Sequence, residues 1–113
     1  MPPVDDHMRL RHMLSAAKEA ADAIRGKSRP DFDHERILQL AVIRLLEIVG
    51  EAAGRVTAKC RERHSSIPWP QITGLRNRLI HGYDSVDLDI LWEILTSDLP
   101  VLIGNMEQIL AAP

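Results

Sequence analysis

Cysteine is nearly absent from this chain. Cys60 stands alone, so no intrachain disulfide can form and no cysteine pair is available for a zinc or iron–sulfur site. Aromatic residues are only 4% of the sequence, namely Phe32, Trp69, Tyr83 and Trp92, while Leu, Ile and Ala supply 36 of the 113 residues; this balance favours helices over strands. No stretch approaches 18 uninterrupted apolar residues, and the opening MPPVDDHMRLRHM lacks an apolar run of signal-peptide length, so a cytoplasmic protein is expected. Positive charge is missing from residues 82 to 113, which hold six acids and no Lys or Arg. Residues 1 to 81 carry all 14 Lys and Arg against 10 acids, so the formal net charge of -2 conceals a basic front and an acidic rear. A polyanion can meet the first region and not the second. The common catalytic templates are missing as well: there is no G-x-x-x-x-G-K-[ST], G-x-G-x-x-G, H-E-x-x-H or G-x-S-x-G. None of the five histidines pairs with another at the i, i+4 spacing that brings two imidazoles to one helical face, so neither a metal nor another cofactor is expected.

What is present is enough for one domain over residues 1–113. With 45% hydrophobic and 27% charged residues, the chain has the composition of a folded globular unit. Leu10, Met13, Ala17, Ala20 and Ile24 recur at three- and four-residue steps and predict a first helix from Asp5 to Arg25, with Gly26 as its C-terminal cap. The linker GKSRPDFD follows, with Asp33 a candidate N-cap for a long second helix reaching Arg61. Pro68 and Pro70 precede a third helix predicted from Pro70 to Ile80 and ended by Gly82. Asp84, Ser85 and Asp87 are candidate caps for a last helical stretch, which Pro100 either kinks or restarts after a Ser97 or Asp98 cap. The fold class is therefore all-α, with four or five helices.

The second helix is apolar around much of its circumference. Ile37, Leu40, Ala41, Leu45, Ile48, Ala52 and Val56 form one stripe, and Leu38, Val42, Leu46, Val49 and Ala53 extend it, more than one neighbouring helix covers; self-association is expected. The remaining Arg44, Glu47, Glu51 and Arg55 are spaced to pair along the helix, although Glu47 or Glu51 can instead reach into a site.

The densest chemistry lies in Leu75-Arg76-Asn77-Arg78-Leu79-Ile80-His81-Gly82-Tyr83. Asn77 and His81 are one helical turn apart, and Arg76 is long enough to converge on them around one anion. A guanidinium offers a fork of donors matched to phosphate, and an imidazole can accept and return a proton near neutral pH. Together they suffice for metal-free RNA cleavage: His81 takes a proton from a ribose 2′-hydroxyl or gives one to the leaving oxygen, and Arg76 stabilises the charge on phosphorus. The same residues also fit an ordinary exposed helix end, with His81 favoured by the helix dipole and Arg78 solvated. Arg55, Lys59, Arg61 and Arg63, opposed only by Glu62, form either a phosphate track leading to the site or a solvated helix end. Trp69 and Trp92 fit core packing better than base stacking.

Arg76, His81 and Tyr83 match an R-x4-H-x-Y signature, flanked by Ile67-Pro68-Trp69, by Gly74-Leu75-Arg76-Asn77 and by Val86 to Trp92, with Gly50-Glu51-Ala52 upstream. In these residues the chain resembles the HepT-like toxins of the HEPN superfamily, over nearly its whole length. The resemblance implies a HEPN helical bundle that forms a homodimer, with two R-x4-H motifs facing each other across a cleft as a composite ribonuclease site. On this reading Arg76 and His81 are the expected catalytic residues, Asn77 a supporting one that orients His81 or the phosphate, and Arg78 a further candidate for meeting RNA. It also implies a toxin–antitoxin pair, in which an MNT-type nucleotidyltransferase moves AMP from ATP onto Tyr83 and blocks the cleft. The competing expectation is a non-catalytic HEPN subunit that binds a minimal nucleotidyltransferase and presents nucleotide or substrate to it.

Overall fold

A computed structural model describes residues 2–79 and 85–111, with side chains from residue 5 onward. Helix α1 (Pro2–Ala23) buries Leu10, Met13, Ala17, Ala20 and, just past its end, Ile24. Gly26 then takes φ +76, the left-handed conformation in which a side chain is strained, and closes the turn after α1, which starts three residues before the predicted Asp5 and ends two before the predicted Arg25.

The linker is not structureless. Ser28 caps a one-turn helix α2 (Arg29–Asp33): its hydroxyl accepts from the Asp31 N–H while the Asp31 carboxylate accepts from the Ser28 N–H, a reciprocal capping box that sets Phe32 into the core. Asp33 therefore closes α2 and does not cap the long helix, which begins after Glu35 as α3 (Arg36–Gly54). Gln39 ties the two together, donating to the carbonyls of Phe32 and Asp33 at 2.9 and 3.2 Å.

The long helix also stops seven residues before the predicted Arg61. Thr57 leaves the helical conformation and caps a separate α4 (Ala58–Arg63), accepting from the Cys60 N–H. Two long-range partners make the break stable. Asp6 on α1 accepts from the Thr57 N–H at 3.0 Å and from its hydroxyl at 2.7 Å. Arg61 turns back to donate to the Val56 and Ala53 carbonyls just where α3 ends.

The predicted third helix is two: α5 (Trp69–Thr73) and α6 (Leu75–Leu79), hinged at Gly74. Its expected end at Ile80 and Gly82 lies outside the described residues. Of the three candidate caps before the last helix, Asp87 serves, its carboxylate accepting from the Ile90 N–H at the start of α7 (Leu88–Glu93); Ser85 does not, and Asp84 lies outside the described residues. A π turn over Ile94–Asp98 joins α7 directly to α8 (Leu99–Ala111). Pro100 has no N–H, and in a regular helix its ring would meet the carbonyl four residues back; the wide turn, in which the Leu99 N–H reaches Ile94 O, accommodates it. The chain thus neither stops nor restarts at Ser97 or Asp98.

Helices α1 and α3 run antiparallel, tied at one end by Asp6 and Thr57 and at the other by Lys27 and Glu35 at 2.8 Å. α8 lies along α1, with Lys18 and Glu107 paired at 3.2 Å, and α5 and α6 lie across α3. The buried face of α3 is Val42, Ile43, Leu46, Val49, Ala52 and Ala53. Ile37 remains 78% exposed and Leu40 46%, so the other stripe is where the surplus apolar surface sits. The fold is the expected all-α bundle, and among the described residues no helix is long and apolar enough to cross a membrane.

Candidate active site

Arg76 stands on α6 because of a glycine on α3. A Cβ on Gly50 would lie 3.0 Å from the Ile72 carbonyl, tight enough that any larger residue would press α5 a few tenths of an ångström off the long helix. α6 continues from α5 through Gly74 and anchors itself with buried Leu75 and Leu79. Arg76 is thereby carried over α3, where its Nε lies 3.4 Å from Glu47 Oε2. The other oxygen of Glu47 faces Arg44 Nη1 at 3.4 Å, and the same Nη1 meets Glu51 Oε1 at 3.0 Å.

These groups line an open groove of about 500 Å³ between α3 and α5–α6, bordered also by Gly50 and Thr73. Two guanidiniums and two carboxylates balance in charge, and they differ in freedom: the Arg76 side chain is 73% exposed, Arg44 and Glu51 are each 60%, and Glu47 is 21%. The pairing along α3 expected from spacing is present, and Glu47 in addition reaches out of its own helix to the motif arginine.

His81 and Tyr83 lie outside the described residues. Among the described residues on either side of them, the Asp87 N–H donates to the Leu79 carbonyl at 3.1 Å. Asn77 is exposed on α6. Arg78, two residues past Arg76 and so nearly opposite it on the helix, is 3.6 Å from Asp98 of the π turn, beside an apolar cavity of about 300 Å³ lined by Leu75, Ile94 and Leu102. The two arginines of the motif helix thus serve different faces.

The basic run beyond α3 also divides. Arg61 is engaged with the chain's own carbonyls and lies 5.9 Å from the Trp69 ring centroid, whereas Arg55, Lys59 and Arg63 are exposed. Trp69 is buried, its Nε1 donating to the Arg61 and His64 carbonyls, and Trp92 is half-buried 5.2 Å from Phe32. Both tryptophans are core residues. Sequence reasoning leaves Glu47's role open; its one-turn offset from Gly50, a small residue at a helix crossing, is the signal that points to it.

A family model described as ribonuclease HepT-like matches residues 13–109, a span that includes Arg76, Asn77, His81 and Tyr83. The chain belongs to the HepT-like ribonuclease family. Within the HEPN superfamily its relatives include a protein of Caldanaerobacter subterraneus named "Putative RNase TTE0752", 37% identical over 101 residues that cover 89% of this chain and 90% of the relative. A Thermococcus cleftensis protein named "Probable ribonuclease HepT" is 39% identical over 79 residues, covering 70% of this chain and 72% of the relative. A third, "Putative RNase MJ1380" of Methanocaldococcus jannaschii, is 34% identical over 95 residues, covering 84% and 87%. No solved structure matches the chain at a significant level. Ribonuclease is the activity by which the matched family is described.

Proposed function

We propose that the protein is an endoribonuclease toxin that cuts RNA as a homodimer without a metal ion, and that an MNT-type nucleotidyltransferase antitoxin silences it by placing AMP on Tyr83. The observation that carries the reading is Arg76, beside Glu47 at the rim of an open groove with its motif helix anchored in the core, in a chain of a ribonuclease family. In the proposed reaction the ribose 2′-oxygen attacks phosphorus as His81 removes its proton. The bond to the 5′-oxygen breaks, that oxygen takes a proton, and the products are a 2′,3′-cyclic phosphate and a 5′-hydroxyl. In a dimer the His81 of each copy can take one of the two proton transfers. Arg76 stabilises the negative charge that builds on the phosphoryl oxygens, and Asn77 orients the imidazole or the phosphate.

Self-association is supported by the stripe that the fold leaves uncovered. Ile37, Leu40 and Ala41 are exposed and share a face of α3 with Arg44, so a second copy seated there would border the Arg76 groove. Exposed Arg55, Lys59 and Arg63 are the candidates for holding RNA outside the cut site. AMP on Tyr83, two residues from His81, would bring bulk and a negative phosphate to the place where the RNA phosphate must enter.

The test is RNA cleavage in EDTA by protein whose Tyr83 is shown by mass spectrometry to carry no adduct, compared with Arg76→Ala and His81→Ala. Cleavage by the wild type that both substitutions reduce by about a thousandfold or more is expected. Absence of cleavage of transfer, messenger or total RNA by adduct-free protein would replace this reading with that of a non-catalytic subunit that presents nucleotide or substrate to a nucleotidyltransferase.

A further inference from the structure

We propose that Glu47 is a positioning residue of the ribonuclease site, one that fixes the guanidinium of Arg76 so that its terminal fork faces the scissile phosphate. The inference rests on the ribonuclease reading above and adds to it a residue from outside the motif. Three observations support it. Glu47 Oε2 approaches Arg76 at Nε, the inner edge of the guanidinium, which leaves the Nη1 and Nη2 end for a phosphate. The carboxylate is itself held, because its other oxygen faces Arg44 Nη1 at 3.4 Å while Arg44 is braced by Glu51 at 3.0 Å. Glu47 is also the least exposed of the four charged groups in the groove, at 21% for its side chain against 60% or more for the rest.

A long, mostly exposed arginine left to itself samples many rotamers, and one that must meet a phosphorane-like transition state loses rate for each misplacement. Glu47 counters this from a rigid place. It is in the middle of α3, one turn before Gly50, the residue that allows α5–α6 and therefore Arg76 to lie this near. A purely stabilising ion pair would be a weak explanation for the arrangement, since pairs this exposed contribute little to folding.

The experiment measures steady-state cleavage, for kcat and KM, and thermal melting for wild type, Glu47→Ala, Glu47→Asp, Arg76→Ala and the double variant Arg76→Ala with Glu47→Ala. Glu47→Ala is expected to lower kcat by about 10- to 100-fold with KM changed far less, and to melt close to wild type. Glu47→Asp should recover part of the loss. In the Arg76→Ala background, removing Glu47 should cost nothing more, because the residue through which it acts is already gone. Wild-type kcat in Glu47→Ala, or an equal loss in both backgrounds, would overturn the proposal. Failure of the wild type to cut RNA would instead sink the ribonuclease reading. The Arg76 Nε–H resonance in NMR tests the pairing without any activity: it should move toward the free arginine position in Glu47→Ala, and an unmoved resonance would refute the contact.

Discussion

Two carboxylates bind neighbouring elements to the ends and middle of the α3 region, and they are held in opposite ways. Asp6 is 7% exposed and takes two good hydrogen bonds, at 3.0 and 2.7 Å, from one residue, Thr57. Glu47 is reached by two long arginines at 3.4 Å each, beside an open groove. The first arrangement has no room for a ligand and every donor is satisfied within the chain. The second is loosely paired, nearly neutral in sum, and retains guanidinium donors that an incoming phosphate can use. A buried carboxylate with two short hydrogen bonds is a device for folding; a partly buried one between two arginines is a device for placing charge.

The largest effect that breaks this comparison is expected at Asp6. Burial alone would push its carboxyl up, but the Thr57 N–H and hydroxyl, with Arg63 and Arg9 nearby, outweigh that and hold it below the usual carboxylate range. Its folded pKa being lowered, the stabilisation is fully present above the unfolded value near 3.9 and is lost as pH falls through the folded value. Asp6→Ala should cost about 2 to 3 kcal/mol, since it leaves the start of α4 without its charged acceptor, and should lower Tm by roughly 10 °C. RNA cleavage per folded molecule should be unchanged. Urea unfolding of wild type and Asp6→Asn from pH 7 to pH 3 should show the gap between them closing below about pH 4. A gap that stays constant with pH would mean that Asp6 acts through shape and not through charge.

That Thr57 contact also explains what the sequence conceals. Gly26 ends α1 through its own backbone, so a reader of the sequence can place it. The break at Thr57 depends on Asp6, 51 residues away, and on Arg61 folding back onto carbonyls; the local run from Ala52 to Arg61 reads as continuous helix. The two stripes of α3 are equally apolar on paper, and only the packing of α1 and α5 decides that Val42, Leu46 and Val49 go inward while Ile37 and Leu40 stay out. The motif makes Arg76 visible at once. Its partner Glu47 is visible only as one of two acids that could pair within the helix, because contact between α3 and α6 is set by Gly50, whose fit against a carbonyl has no periodic signature.

Gly50 offers the next effect in size. Alanine would favour the helix there by up to about 1 kcal/mol, but its Cβ would press within 3.0 Å of a backbone carbonyl in α5, which has no side-chain freedom to yield. Gly50→Ala is expected to be destabilised by about 1 kcal/mol net and to lose cleavage by about tenfold, as α6 is lifted and Arg76 drawn off Glu47. Chemical denaturation and single-turnover rates measure the two effects separately. A Gly50→Ala variant as stable and as active as wild type would mean that the contact between α3 and α5 is slack, and that the groove does not depend on it.

Gly104 sharpens the same contrast with the smallest change. It lies inside α8, exposed, with nothing within 4 Å of an added Cβ. Here the helix preference acts unopposed, so Gly104→Ala should gain about 0.5 to 1 kcal/mol and leave cleavage untouched. The two glycines differ only in what stands over them: a carbonyl in one case, solvent in the other. If Gly104→Ala is instead destabilised, or if its stability becomes dependent on protein concentration where wild type is not, then something covers α8 in solution. The second copy would in that case dock on α8, far along the chain from Ile37 and Leu40, and the assignment of the uncovered α3 stripe as the dimer face would be the part of the proposed function to give way.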